Sequence, residues 1–265
     1  MFAMFEKQKE IKTWPQFARH VRSKGCHLFK RLEDFPDSVL VSGCQRSGST
    51  MLARIVTASE GMVQYSWGRD DELDAALVLS GYVPHSNDGR FCFQTTYMNE
   101  CVNEYFEHGN RFKVIWMLRN PSSVVYSMVF NWSRFALNEL FRACGESFLV
   151  SPYKERYDRF GLFGLNRLQR GCLAYSGKVS QVFTLREKLG ADNVLVLDYD
   201  ELVLNKSQLL PKVYEFIGLD YKSEYEDAIR SSSLKKAQKF SSRQRKVVEE
   251  LCMPVYEEAH KLVCR

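Results

Sequence analysis

A glycine-bounded loop that carries one arginine is the first candidate for chemistry in this 265-residue chain. The sequence predicts a short apolar strand at residues 39–41, the pattern Gly-x-x-x-x-Gly-Ser-Thr over residues 43–50, and a helix that begins at Ser49. This order points free backbone N–H groups and the positive end of a helix dipole at one spot, which predicts a phosphate-like anion there. Ser49 stands where the lysine of the nucleoside triphosphate P-loop would be, and the positive charge lies inside the loop at Arg46.

A second anion site follows a second apolar strand. That strand begins at Lys113 and ends in Arg119-Asn-Pro121, and the helix that starts at the proline carries Ser127. An arginine at the carboxyl end of a strand and a serine on the next helix form a clamp for a phosphate. Two separated sites fit a nucleotide with phosphate groups at both ends better than they fit ATP.

The two motifs together resemble those of the sulfotransferases that use 3′-phosphoadenosine 5′-phosphosulfate (PAPS). Residues 45–50, Gln-Arg-Ser-Gly-Ser-Thr, resemble the 5′-phosphosulfate loop of that family, and Arg119, Pro121 and Ser127 match its 3′-phosphate motif. A sulfuryl group carries less charge than a phosphoryl group, so side chains and amides neutralise it without a metal ion. The resemblance implies a sulfotransferase with PAPS as donor and 3′-phosphoadenosine 5′-phosphate (PAP) as product, and we expect no metal ligands.

The resemblance also assigns roles to residues of this chain. Arg46 is expected to act in catalysis as well as in binding, by taking up charge that grows on the leaving phosphate. Tyr199-Asp-Glu-Leu resembles the family's Tyr-Glu-Asp-Leu corner, where the tyrosine lies near the adenine. The expected donor-binding residues are Arg46, Ser47, Gly48, Ser49, Thr50, Arg119, Ser127 and Tyr199.

A base for the acceptor is expected in the acidic window of Asp70, Asp71 and Glu72. In one branch of the family, which includes the tyrosylprotein sulfotransferases, a glutamate soon after the first helix is the general base, and the resemblance does not select among the three. The alternative is that these acids cap and solvate a helix N-terminus. Many relatives place a catalytic lysine or histidine where this chain has Gln-Thr-Thr at 94–96, which leaves the acidic window or His85 as the base.

The acceptor is expected to be a small molecule with a hydroxyl or amine group. An acidic window beside the site favours a cationic acceptor by simple electrostatics. The aromatic-rich segment 128–143 is predicted as a continuous helix that walls an acceptor pocket, with ordinary core packing as its alternative. Residues 145–160 are predicted as an irregular specificity loop.

Strands and helices alternate along the sequence. We therefore predict a single α/β domain of the P-loop type, with a central parallel sheet flanked by helices on both faces and ligands at the carboxyl ends of the strands. The predicted strands are 39–41, 91–95, one from residue 113, and 193–198. The predicted helices are one or two within 1–36 interrupted near Pro15 and Gly25, one from 49 to Gly61, 162–189, 206–217 and 244–263.

Composition sets the expected organisation and location. We predict a basic helical extension at residues 1–36, where residues 1–31 hold eight Lys/Arg and two Glu, and a sulfotransferase-like domain at 37–265. No run of 18 apolar residues and no secretory pattern is present, so neither a membrane span nor a Golgi anchor is expected. The eight cysteines lack metal-ligand spacing and indicate reduced thiols and a cytoplasmic protein.

Residues 230–246 hold seven Lys/Arg and no acid. Relatives close a basic loop over the 3′-phosphate from about this point, and Lys235, Lys236, Lys239 and Arg243 are candidates for that role, with a solvated basic face as the alternative. Three other functions stay open: a P-loop kinase, a nucleotide-binding protein without catalysis, and a nucleic-acid binder. The missing lysine argues against the kinase, and the nucleic-acid binder has no aromatic platform motif to support it.

Overall fold

A parallel sheet of four strands carries both anion motifs in the computed structural model of the chain, which describes residues 11–22, 25, 27–68, 70–109, 111–229 and 239–264. The strands are β1 (Ser38–Gly43), β2 (Cys92–Gln94), β3 (Phe112–Leu118) and β4 (Val194–Asp198). Their order is β2-β1-β3-β4, and Leu40 of β1 pairs with Phe93 on one side and Val114 on the other. Because all pairs are parallel, the carboxyl ends of the strands share one edge.

Helices connect and cover these strands. Those of the described residues are α1 (Trp14–His20), α2 (Ser49–Thr57), α3 (Asp71–Leu79), α4 (Pro121–Phe130), α5 (Arg134–Leu140), α6 (Tyr153–Phe160), α7 (Arg167–Leu189), α8 (Tyr199–Leu204), α9 (Lys206–Ile217) and α10 (Ser242–His260). Short 3₁₀ segments and one π-helical turn, Phe141–Gly145, lie between them.

Side chains of the strands alternate between two cores, one on each face of the sheet. Leu40, Val114 and Trp116 pack with apolar residues of α3, α4, α7 and α10. Val41 and Met117 pack on the opposite face with apolar residues of α2 and α9. A parallel sheet with both faces buried under helices confirms the predicted fold class.

Local signals placed several helix ends correctly. α2 begins at Ser49, α4 begins at Pro121, and α9 ends at Ile217 before Gly218, which adopts the left-handed conformation. Asn120 accepts a hydrogen bond from the Ser122 amide and so caps α4 directly after β3.

Other predicted boundaries are wrong. The helix expected to reach Gly61 ends at Thr57, and Pro15 lies in the first turn of α1 rather than interrupting a helix. The helix predicted over 128–143 is broken after Phe130, because Ser133 caps a new helix, α5, by accepting a hydrogen bond from Phe135.

Residues 145–189 also differ from the prediction. The stretch predicted as an irregular loop at 145–160 contains α6. The helix expected from residue 162 begins at Arg167, where Asn166 and Gln169 form a reciprocal capping box.

The described part of the basic N-terminal segment packs into the larger core. Phe17, Leu28, Phe29 and Phe35 are buried there with residues of the sheet. The domain boundary predicted at residue 36 stays a prediction. Side chains from both sides of this boundary pack in one hydrophobic core.

The structure also bears on the predicted membrane span, the cysteines and the basic stretch near the C-terminus. Among the helices of the described residues, none combines the length and the apolarity that crossing a bilayer requires, and the cytoplasmic location stays a prediction. The seven described cysteines form no disulfide. Lys235 and Lys236 lie outside the described residues, while Lys239 lies over the Tyr126 ring at 5.7 Å and Arg243 is exposed on α10.

Close packing of α7 against the π-helical turn gives a test of the fold. A Cβ atom at Gly177 would overlap the backbone carbonyl of Cys144, whereas a Cβ atom at Gly171 would meet the Val129 side chain at 3.3 Å. Gly177→Ala should therefore lower the free energy of unfolding by about 2 kcal/mol or more, measured by urea denaturation. The matched control Gly171→Ala should stay within about 1 kcal/mol of wild type, since helix propensity favours alanine there. Equal losses in the two variants would contradict this packing.

Candidate functional site

The loop between β1 and α2 has the geometry that favours an anion. Gly48 adopts φ +97° directly before α2, and a Cβ atom there would overlap the ring of Tyr199. No side chain of the described residues caps α2, so the amides of its first turn remain available to a ligand. The free amides and the helix dipole together favour an anion at this point.

The two predicted arginines meet in one cleft. Arg46, in the left-handed region at φ +74°, donates from Nε to the Ser127 hydroxyl at 3.0 Å. Arg119 donates from Nη1 to the backbone carbonyl of Arg46 at 3.2 Å. In this ligand-free arrangement the serine predicted to accompany Arg119 contacts Arg46.

Arg119 is held by groups of the β4–α8 junction. Its side chain is 5% exposed, its guanidinium lies 4.2 Å from the centre of the Tyr199 ring, and its Nε lies 3.5 Å from Oδ1 of Asp200. Tyr175 donates its hydroxyl proton to the backbone carbonyl of Arg119 at 2.8 Å. These contacts fix a buried cation at the carboxyl edge of the sheet, as a phosphate clamp requires.

A cleft of about 870 Å³ joins these groups to the acidic window. The predicted site residues that line it are Arg46, Gly48, Ser49, Thr50, Asp70, Asp71, Glu72, Arg119, Ser127 and Tyr199. Ser47 is buried outside this lining, and its amide donates to the Cys44 carbonyl at 3.1 Å. Within the described residues no group of three or more His, Cys, Asp or Glu side chains forms a potential metal site.

The three acids of the window have different surroundings. Asp70 caps α3 by accepting from the amides of Glu72 and Leu73, and its other oxygen accepts from the Trp14 indole at 3.0 Å. Asp71 forms an ion pair with Arg54, with Oδ2 and Nε 2.5 Å apart. The capping interpretation is thus realised at Asp70.

Glu72 is the acid of the window whose pKa is raised. Thr96 donates its hydroxyl proton to Oε1 of Glu72. Burial raises the pKa of Glu72 to about 7, with a smaller upward effect of Asp70, while Thr96, Lys178 and Arg46 act in the opposite direction. A carboxyl group that titrates near neutral pH suits a general base.

Sequence reasoning missed two glutamines. Gln94, at the position where relatives carry a catalytic residue, donates from Nε2 to the hydroxyls of Ser49 at 3.2 Å and Thr50 at 3.0 Å. Gln45 donates to the Thr96 carbonyl at 2.9 Å and to Oδ1 of Asn99 at 3.1 Å. Their positions at the end of β2 and inside the loop were the available signals.

Part of the lining of the cleft is aromatic. Trp14, Tyr97, Trp132 and Phe135 line it, and the rings of Trp14 and Tyr97 lie 5.7 Å apart. Both interpretations of the aromatic segment 128–143 therefore apply to part of it. Trp132 and Phe135 line the cleft, whereas Phe141 is buried in the core.

His85 lies apart from this lining. One of its ring nitrogens lies 2.6 Å from the Ser86 carbonyl, and the ring packs on Phe35 and Phe91. These contacts give His85 a place in loop packing.

Comparison with known proteins identifies relatives of this arrangement. The family model described as "Sulfotransferase domain" matches residues 36–251. Among solved structures, the chain is similar to mouse sulfotransferase SULT7A1 complexed with PAP, at 16% identity over 89% of this chain and 92% of that one, with a TM-score of 0.51. It is also similar, at 12% identity and a TM-score of 0.50, to sulfotransferase domains of the curacin biosynthetic pathway and of the Synechococcus PCC 7002 olefin synthase. These cover 85% of this chain and 96% and 94% of their own. At such identities the likeness of structures shows the fold, and a search of curated proteins gave no match.

The surroundings of Glu72 predict a pH-dependent stability. Because its pKa rises from 4.5 to about 7 on folding, the stabilisation is complete below about 4.5 and is lost as the pH rises through 7. Glu72→Gln should therefore raise the free energy of unfolding at pH 8, by about 3 kcal/mol at most, and change it little at pH 4. Denaturant melts at both pH values measure this.

The control is Glu187→Gln on the exposed face of α7, which should change stability equally at the two pH values. A pH-independent difference between Glu72→Gln and wild type would contradict the buried, shifted carboxyl.

Proposed function

This chain belongs to the sulfotransferase family and catalyses sulfuryl transfer, and from that premise we propose that its donor is PAPS and that Glu72 is its general base. The observation that carries the donor assignment is the convergence of Arg46 and Arg119 on one cleft beside the uncapped start of α2. PAP in the mouse relative supports the same nucleotide class.

The groups present fit a nucleotide with phosphates at both ends. PAPS supplies an activated sulfuryl group on its 5′-phosphate. The amides at the start of α2 and Arg46 would bind that end and neutralise the negative charge that develops when the sulfuryl bond breaks. Arg119, fixed by Asp200 and the Tyr199 ring, would hold the 3′-phosphate. Gln94 orients the hydroxyls of Ser49 and Thr50 toward the same end.

The contacts of the acidic window favour Glu72 as the base. Both carboxylate oxygens of Asp70 accept hydrogen bonds, and Asp71 is paired with Arg54. Glu72 lines the cleft, and the upward shift of its pKa suits proton transfer at neutral pH. It would take the proton from the acceptor hydroxyl or amine as the sulfuryl group transfers in line.

The acceptor end favours a small molecule with an apolar ring system. Trp14, Tyr97, Trp132 and Phe135 offer flat apolar surfaces there. The electrostatic case for a cationic acceptor is weakened, because Asp71 is neutralised by Arg54 and Glu72 is partly protonated near neutral pH. We propose a hydroxylated or amine-bearing aromatic or alicyclic acceptor.

Replacing each arginine separately tests the donor assignment. Arg119→Ala should weaken PAP binding about 10-fold to 100-fold and leave ADP binding within a few-fold, because only PAP carries the 3′-phosphate. Arg46→Ala should instead lower kcat about 100-fold or more with a much smaller loss of nucleotide affinity. Calorimetry with PAP and ADP gives the affinities, and transfer of labelled sulfate from PAPS to a panel of ring-bearing alcohols and amines gives kcat.

Arg159→Ala, an exposed charge removal on α6, serves as the control for net charge. Equal losses of PAP and ADP affinity in Arg119→Ala would overturn its assignment to the 3′-phosphate. Turnover reduced only a few-fold in Arg46→Ala would overturn its catalytic role.

A further inference from the structure

A lysine is buried in the core behind the cleft. Lys178 of α7 has 0% of its surface exposed. Its Nζ donates to the backbone carbonyl of Met98 at 2.6 Å and lies 5.7 Å from the centre of the Trp116 ring. Burying an ammonium group is costly unless it is compensated, so a lysine at such a position calls for a role.

The turn that accepts this hydrogen bond is anchored from two sides. From α7, Lys178 binds the Met98 carbonyl, and Gln181, one helical turn later, donates to the Asn99 carbonyl at 2.5 Å. From the anion loop, Gln45 binds the Thr96 carbonyl and the Asn99 side chain. The turn at 95–99 is therefore hydrogen-bonded to both α7 and the anion loop.

The same turn holds the proposed base. Thr96 donates its hydroxyl proton to Glu72, and both residues line the cleft. The chain of contacts runs from Lys178 through the Met98 carbonyl to Thr96 and then to the carboxylate. A change at Lys178 can therefore act on Glu72 by position and by charge.

Among the described residues, few charged groups act on Glu72 and Lys178. Asp70 on α3 opposes ionisation of Glu72, while Arg46 of the anion loop and Lys178 favour it, and the hydroxyls of Tyr97 and Tyr105 also lie nearby. Burial lowers the pKa of Lys178, and the thiols of Cys144, Cys44 and Cys101 together with Glu72 act against this. Arg46 is committed to the donor end, which leaves Lys178 as a cation that acts on Glu72 from the core side.

We propose that Lys178 is a positioning residue for the reaction, which anchors the 95–99 turn that carries Thr96 and places a positive charge on the core side of Glu72. This rests on the proposed function of Glu72 as the base. Lys178 does not line the cleft, so its effect reaches the reacting atoms through Thr96 and Glu72.

A titration of Glu72 in the free protein tests the charge directly. Carboxyl carbons of ¹³C-labelled glutamate are followed by NMR against pH, and the resonance lost in Glu72→Gln identifies Glu72. Lys178→Met removes the charge and the hydrogen bond, Lys178→Gln removes the charge but keeps a donor, and Gln181→Met removes only an anchor of the turn. We expect the midpoint of Glu72 to rise by at least about half a pH unit in both Lys178 variants and to stay unchanged in Gln181→Met.

An activity profile adds the functional readout. In the Lys178 variants the acidic limb of kcat should move to higher pH by the same amount, with turnover at pH 7 lowered about 3-fold or more and PAP affinity unchanged. A Glu72 midpoint equal to that of wild type in both Lys178 variants would overturn the proposal. The same shift in Gln181→Met would overturn the role given to the charge, because removing an uncharged anchor of the turn would then have the same effect.

Failure of this inference is distinguishable from failure of the proposed base. If Glu72→Gln keeps wild-type turnover, the base assignment is wrong, whatever Lys178 does. If Glu72→Gln is inactive and the Lys178 variants titrate and react like wild type, only the role of Lys178 is wrong. Cooperative thermal unfolding of each variant establishes that it is folded, and Lys178→Gln replaces Lys178→Met if the latter is not.

Discussion

Two arginine side chains line one cleft at the carboxyl edge of the sheet, and the rest of the site depends on the contacts that hold them there. Arg119 is compensated by Asp200 and by the face of Tyr199, while Arg46 is held by the Ser127 hydroxyl. A hydroxyl orients Arg46 but brings no negative charge. The positive potential at the start of α2 is thus preserved for an anionic ligand, and the parallel sheet supplies the rigid edge that keeps both arginines in place.

The three adjacent acids of the window have different partners and therefore different properties. Asp70 accepts hydrogen bonds from the backbone of α3 and from Trp14, and Asp71 forms an ion pair with Arg54. Glu72 is left in the cleft with a threonine hydroxyl and a raised pKa. The separation follows from helix position, since the first residue caps, the second points toward α2, and the third turns toward the end of β2.

Signals local in sequence predicted much of this. The strand, loop and helix around Arg46, the start of α4 at Pro121 and the stop of α9 at Gly218 follow from glycine and proline chemistry and were found correctly. The break between α4 and α5 was missed because the serine cap at Ser133 competes with a strong apolar periodicity.

Contacts between distant segments were beyond such signals. The hydrogen bond between Gln94 and Thr50 joins residues 44 positions apart, and that between Lys178 and the Met98 carbonyl joins residues 80 apart. The sequence selected an acidic window, whereas the choice of Glu72 depends on Arg54 and Trp14, which come from other elements.

The most direct test of the account is a crystal structure of the protein with PAP. We predict the 3′-phosphate within hydrogen-bond distance of the Arg119 guanidinium, and the 5′-phosphate on Arg46 and the first amides of α2. PAP bound elsewhere, or bound with its 3′-phosphate remote from Arg119, would contradict the claim that these two arginines define the donor site.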